Sequence, residues 1–235
     1  MALSYYYKDN FPPPQTYNLS LLQPPLQEPT LREPFALVAN KQHYTVTPKF
    51  EYELTGVVVS YNDADGFTNI WHHKRWKDFI NVRDICVIWE PNVASGVYRN
   101  IQFSSDSWTC WVSWQDHAIG DKFHMSALAN NHLLTANNYI KSKLLDAGKG
   151  DVIRFKGVLA EYKNDATGAT RGTSITRTDS GNGACETVYI EDFKIIKKAN
   201  AGWRILYSIS KWLTLLSLVG FLILVGITPY KSRNL

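Results

Sequence analysis

The stretch DVIRFKGVLAEYKN, residues 151–164, decides the fold. It is rich in β-branched and aromatic residues and reads as one strand, with Gly157 as a bend or bulge inside it. Upstream, EYELTGVVVSY (51–61) is a second strand, and HYTVTP before it alternates until Pro48 breaks the pattern. Asn62-Asp63-Ala64-Asp65-Gly66 signals a turn. DICVIWE (84–90), VYRNIQF and SWTCWVSW supply further strands. In SWTCWVSW, Trp108, Cys110 and Val112 share one face, and Thr109, Trp111 and Ser113 the other. Residues 126–134 read as a loop or helical turn. After them, Ile140, Leu144 and Leu145 have helical spacing, Thr135 can cap that helix and Gly148 can stop it. ETVYIEDFKII (186–196) is the last strand.

Strands, a short helix, then Gly150-Asp151-Val152-Ile153-Arg154-Phe155-Lys156-Gly157-Val158-Leu159 and a final strand resemble the OB-fold. That fold is a five-stranded Greek-key barrel with a helix between strands three and four. The resemblance covers residues 50–196. It implies a mainly β domain, an OB-like barrel with insertions, because the stretch from Trp71 to Trp114 is longer than a minimal barrel requires. A fold of this kind implies no function by itself.

Downstream of the barrel, WLTLLSLVGFLILVGITPY (212–230) carries no charge and reads as a single transmembrane helix. Trp203, Tyr207 and Trp212 before it and Tyr230 after it occupy interfacial positions, and Lys211 and Lys231 bracket it. The expected organisation is a Pro-rich extended arm (1–42), the β-barrel domain (43–198), a juxtamembrane linker (199–211), the span (212–230) and a short basic tail (231–235). The arm either lies across the domain or serves as a docking peptide, since Tyr5, Tyr6, Tyr7, Phe11, Tyr17 and several leucines are interleaved with its prolines. Lys194, Lys197, Lys198, Arg204 and Lys211 precede the span, against Lys231 and Arg233 after it. This asymmetry favours a cytoplasmic domain, as does the lack of a signal-peptide pattern in the first residues.

Net charge is +4 with 21 acidic residues, which argues against a nucleic-acid binder. Three cysteines, Cys86, Cys110 and Cys185, allow one disulfide or three reduced core thiols. Cys86 and Cys110 lie on strands that can be neighbours. Six histidines show no spacing that requires a metal: His72 and His73 are adjacent, and His117, His124 and His132 are scattered near Asp116 and Asp121. No cofactor motif is present.

Candidate binding residues come from three segments. WHHKRWKDF (71–79) interleaves Trp71, His72, Arg75 and Trp76, suiting bases, headgroups or plain inward packing. ALANNHLL places Asn131 and His132 in an apolar run, where such groups commonly satisfy backbone. TRTDSGNGACE contributes Asp179 and Asn182 in a Gly-rich loop, but Ser180 lacks a nucleophile-elbow context. No catalytic constellation stands out. The expectation is a non-enzymatic, membrane-tethered β-barrel module that binds a membrane or membrane-associated protein, besides the lipid bilayer itself. A hydrolase would draw on Asp63, Asp65, His72, Arg75 and Glu186, and a single-strand nucleic-acid binder on the Trp and cation-rich segment.

Overall fold

The computed structural model describes residues 1–64, 76–177, 179 and 184–228. They fall into two compact units: residues 11–199, and residues 1–10 with the chain from 200 onward. In order, the elements are α1 (Ala2–Tyr7), β1 (Leu26–Pro29), β2 (Phe35–Ala39), β3 (Gln42–Asp63) and β4 (Asn81–Ile88). Then come α2 (Asn92–Ser95), β5 (Gln102–Asp106), β6 (Thr109–Ser113), α3 (His117–Gly120) and β7 (Leu128–Leu134). The series ends with α4 (Asn138–Asp146), β8 (Val152–Asn164), β9 (Thr170–Arg171), β10 (Glu186–Lys197) and α5 (Ala201–Ile227). The chain is mainly β, with one long apolar C-terminal helix.

Within the larger unit the pairings form a circuit. β3 pairs with β4, β4 with β7, β7 with β10, β10 with β8, and β8 with β3 again. All are antiparallel except β7–β10, which is parallel. β1 and β2 add to β3, β9 adds to β8, and β5–β6 make a separate hairpin. The inner faces bury Tyr52, Leu54, Val87, Leu133, Phe155 and Val188 in one core.

Two irregularities let long strands stay in this circuit. Pro48 does not end β3: the strand runs through it, and the register with β8 shifts between Pro48 and Phe50. Proline lacks an N–H, so a bulge is where a strand tolerates it. Gly157 lies opposite Tyr52 on one side and Ile190 on the other, where the β10 register slips between Ile190 and Asp192. A Cβ there would strike the Tyr189 carbonyl oxygen, so close backbone approach excludes a side chain.

Residues 128–134, expected as loop or helical turn, form strand β7 between β4 and β10. A run buried on both faces has no alternation to betray it. Asn137, rather than Thr135, caps α4, accepting from the Tyr139 and Ile140 amides at 2.8 and 3.3 Å. Thr135 Oγ1 instead accepts from the Asn137 amide.

The Pro-rich segment from Phe11 onward belongs to the larger unit. Leu22 and Tyr17 are buried, and Tyr17 Oη donates to the Gly150 carbonyl at 3.0 Å. A disulfide joins Cys86 of β4 to Cys110 of β6, with Cα atoms 5.9 Å apart, and fastens the hairpin to the sheet. Cys185 is a free, half-buried thiol. The segment expected as a linker is helical: α5 starts at Ala201 and continues without a break to Ile227, and Tyr230 lies outside the described residues. The helix is long and apolar enough to cross a membrane.

Candidate functional site

The site starts from register. Asp84 on β4 lies opposite His132 on β7, and His132 lies opposite Thr187 on β10, so their side chains share a face of the sheet. Both Asp84 and His132 are buried. His132 Nδ1 meets Asp84 Oδ1 at 2.5 Å, and His132 Nε2 meets Arg171 Nη2 at 2.6 Å. A guanidinium can only donate. Nε2 must therefore accept, which makes the imidazole neutral with its proton on Nδ1, donated to Asp84. Burial pushes the His132 pKa below its ordinary value despite Asp84, in keeping with that tautomer. Burial pushes Asp84 up, but His132, the Asn81 side-chain amide and the Trp108 backbone amide more than offset it, and Asp84 stays an anion.

Trp108 completes the arrangement. Its φ is +76°, an uncommon conformation for a bulky residue. The backbone is held there from both sides: its N–H donates to Asp84 Oδ2 at 3.2 Å, and its carbonyl accepts from Asn130 Nδ2 at 2.9 Å. Cys185 Sγ also approaches that carbonyl at 3.5 Å, and burial raises its thiol pKa. The indole presented by this turn stacks beneath Arg171, whose Cζ sits 3.5 Å from the ring centroid. Trp76 lies 5.5 Å from Trp108, centroid to centroid.

Arg171 looks into a cleft of about 310 Å³ with walls of Tyr44, Trp76, Trp108 and Tyr162, and Asp78 also reaches it. Tyr162 Oη donates to Asp78 Oδ2 at 2.5 Å, and Tyr44 Oη accepts from the Phe79 amide at 3.0 Å. Burial raises both phenols, Tyr44 to about 12 and Tyr162 well above its usual value, so both remain neutral hydroxyls. Burial lowers the Arg171 pKa, yet a guanidinium starting from 12.5 stays charged. Of its five N–H groups, one is engaged, by His132, among the described residues. A cation held by stacking and one neutral nitrogen, with no ion pair among the described residues, can in chemical terms receive an anion.

A second polar group lies on the opposite face of the same strands. Glu186 and Asn131 are register partners on β10 and β7, and both are buried. Arg177 donates to Glu186 Oε1 and, at 3.2 Å, to Tyr52 Oη, and it borders a groove lined by Trp89, Glu90 and Pro24. Glu186 Oε2 and Asn131 Oδ1 have no partner among the described residues. Burial outweighs Arg177 and lifts the Glu186 pKa to about 7, with Asp179 adding to the rise.

Of the residues singled out from sequence, Trp76 lines the cleft, and His132 lies buried behind it, bonded to Arg171. Asn131 points to the other face, where its amide donates to the Ile85 and Ala129 carbonyls. Asp179 accepts from Ser174 Oγ at 2.6 Å. Trp71, His72, Arg75, Asn182 and Asp65 lie outside the described residues. Asp63 pairs with Arg83. No three His, Cys, Asp or Glu side chains gather as a metal set among the described residues. Sequence reasoning missed Arg171, Trp108 and Asp84. Asp84 carried one signal, an acidic residue directly before the apolar run Ile85–Trp89. No family model matches the chain, and neither a curated protein nor a solved structure shows significant similarity to it.

Glu186 gives a pH test. Its folded pKa of about 7 is raised above the ordinary 4.5, so stability present at low pH is lost as pH rises through that window. Glu186→Gln removes this loss. The melting temperature of the variant minus that of the parent should grow between pH 4.5 and 7 and then level off; a gap independent of pH contradicts the assignment.

Proposed function

We propose that the chain is a membrane-tethered, non-enzymatic binding module whose Arg171 cleft takes a carboxylate beside an aromatic or apolar group of a membrane-associated protein. The order of the strand circuit, with β7 and β10 parallel and α4 between β7 and β8, supports an OB-like Greek-key barrel as its scaffold.

The observation that carries this reading is Arg171 itself. Its side chain is largely desolvated, stacked on Trp108 and fixed by a neutral histidine, with most of its donors left for something outside the described chain. The planar fork matches a carboxylate, and the aromatic walls match the carbon skeleton next to it. A cleft of about 310 Å³ suits one or two side chains of a partner. Asp78 at the same cleft, with the modest net charge, weighs against a polyanion such as nucleic acid. A hydrolase on this site would need His132 Nε2 to face a hydroxyl or thiol, and it faces Arg171.

The binding reading predicts that phenylacetate perturbs the Trp108 indole and Arg171 guanidinium NMR signals saturably in the full chain. The neutral phenylacetamide should act weakly and phenethylamine should not act at all. Arg171→Gln should reduce phenylacetate affinity at least tenfold. Equal perturbation by the amine, or none by any of the three, overturns it.

For sidedness, we infer that the domain lies on the oxidising side of the membrane. The Cys86–Cys110 bridge favours that side over the cytoplasmic one suggested by the basic residues before α5, because disulfides persist where thiols are not kept reduced. Intact cells treated with an impermeant reductant under mild unfolding, and then with a membrane-impermeant thiol reagent, should show Cys86 and Cys110 labelled. Thiols that are free without reduction and react only after lysis place the domain in the cytoplasm.

A further inference from the structure

The smaller unit holds a surface that the Arg171 cleft does not explain. α5 has 27 residues, about 40 Å at 1.5 Å per residue. A hydrocarbon core is about 30 Å thick. The charge-free part starts at Trp212, so the excess length falls on the first turns, which carry Trp203, Arg204, Tyr207 and Lys211. Those residue types belong at headgroup depth.

α1 is fastened to those same turns. Tyr5 packs on Tyr207 with centroids 5.7 Å apart, and Tyr7 stacks on Trp203 at 5.0 Å with planes 27° apart. Lys8 Nζ lies over both Tyr5 and Tyr207, at 5.2 and 5.4 Å. Asn200 Nδ2 donates to the Asn10 carbonyl at 2.6 Å, and Arg204 Nε to the Lys8 carbonyl at 3.2 Å. Six residues are too few for a helix to persist alone in water. Between Ala2 and Tyr7 there is no charge, and Met1, Leu3, Tyr5 and Tyr6 are each more than half exposed.

We infer that α1 is a second membrane contact, lying in the boundary between headgroups and acyl chains with Leu3, Tyr5 and Tyr6 turned into lipid. The inference rests on α5 being a span. Its occupant is the bilayer rather than a protein, because α1 is held against Trp203 and Tyr207, the rings of α5 that belong at headgroup depth. The three tyrosines of α1, with Lys8 directly after them, match an interfacial belt. The clamp onto Trp203 and Tyr207 sets its depth: once α5 crosses, α1 is carried to the level of those two rings.

The test uses the full chain with Cys185→Ser, kept without reductant and reconstituted at high lipid excess into phosphatidylcholine–phosphatidylglycerol vesicles. A nitroxide is placed at Tyr6→Cys or at Leu216→Cys, and its accessibility to oxygen and to a water-soluble nickel chelate is read by EPR. The expected result is a deep label at 216, and a label at 6 that favours oxygen over nickel, about 5–10 Å below the headgroups. A deep label at 216 with a fully aqueous label at 6 overturns the inference and leaves the span standing. A label at 216 outside lipid overturns both. Shielding at 6 that disappears on diluting the protein in lipid means a second copy covers α1, which also overturns it.

Discussion

The hydrogen bond between His132 and Asp84 carries the candidate site. A carboxylate removed from water costs several kcal/mol unless it is well paired. Asp84 meets that cost with three donors: the Asn81 side chain, the Trp108 amide and His132 Nδ1. Each donor does something further. The Trp108 amide that reaches Asp84 belongs to a left-handed backbone turn, and that turn presents the indole. The imidazole, once its proton is committed to Asp84, has a lone pair left on Nε2, which fixes Arg171. The anion at the bottom of the sheet thus positions a cation at the cleft without being its direct ion partner, and the cation keeps donors to spend on a ligand.

The disulfide and the sheet circuit hold this arrangement in place. Cys86 lies two residues from Asp84 on β4, on the same face, and Cys110 lies two residues from Trp108. The cross-link therefore pins the hairpin beside the residue that Asp84 orders. β7 carries His132 between β4 and β10, so the face bearing the cleft and the inward face bearing Asn131 and Glu186 are two sides of the same three strands. The smaller unit is built on a different principle, rings stacked on rings beside a long apolar helix.

Much of the scaffold was legible in sequence because its signals are local. The strand at 151–164, the last strand from Glu186, the helix ending before Gly148 and the apolar C-terminal run each declare themselves within a dozen or two residues. Gly157 was legible as a bend, though only the closeness of Tyr189 explains why a side chain cannot stand there. β7 was not legible, since Asn130, Asn131 and His132 interrupt an apolar run that is buried on both faces. The site was legible only in fragments. Trp76 and His132 drew notice as residue types, but the partner that gives His132 its role is 39 positions away. Arg171 falls in a stretch that is polar in sequence, where one more arginine is unremarked by any local pattern. Its meaning comes from β8–β9 pairing and from Trp108, both long-range facts.

The most direct measurement is the nitrogen chemical shift pair of the His132 ring, followed by NMR from pH 8 down to pH 6. The account predicts a neutral ring throughout, protonated on Nδ1, with Nε2 showing the shift of a hydrogen-bond acceptor. An imidazolium in that range, or a ring protonated on Nε2, would contradict it, because neither form can accept from Arg171.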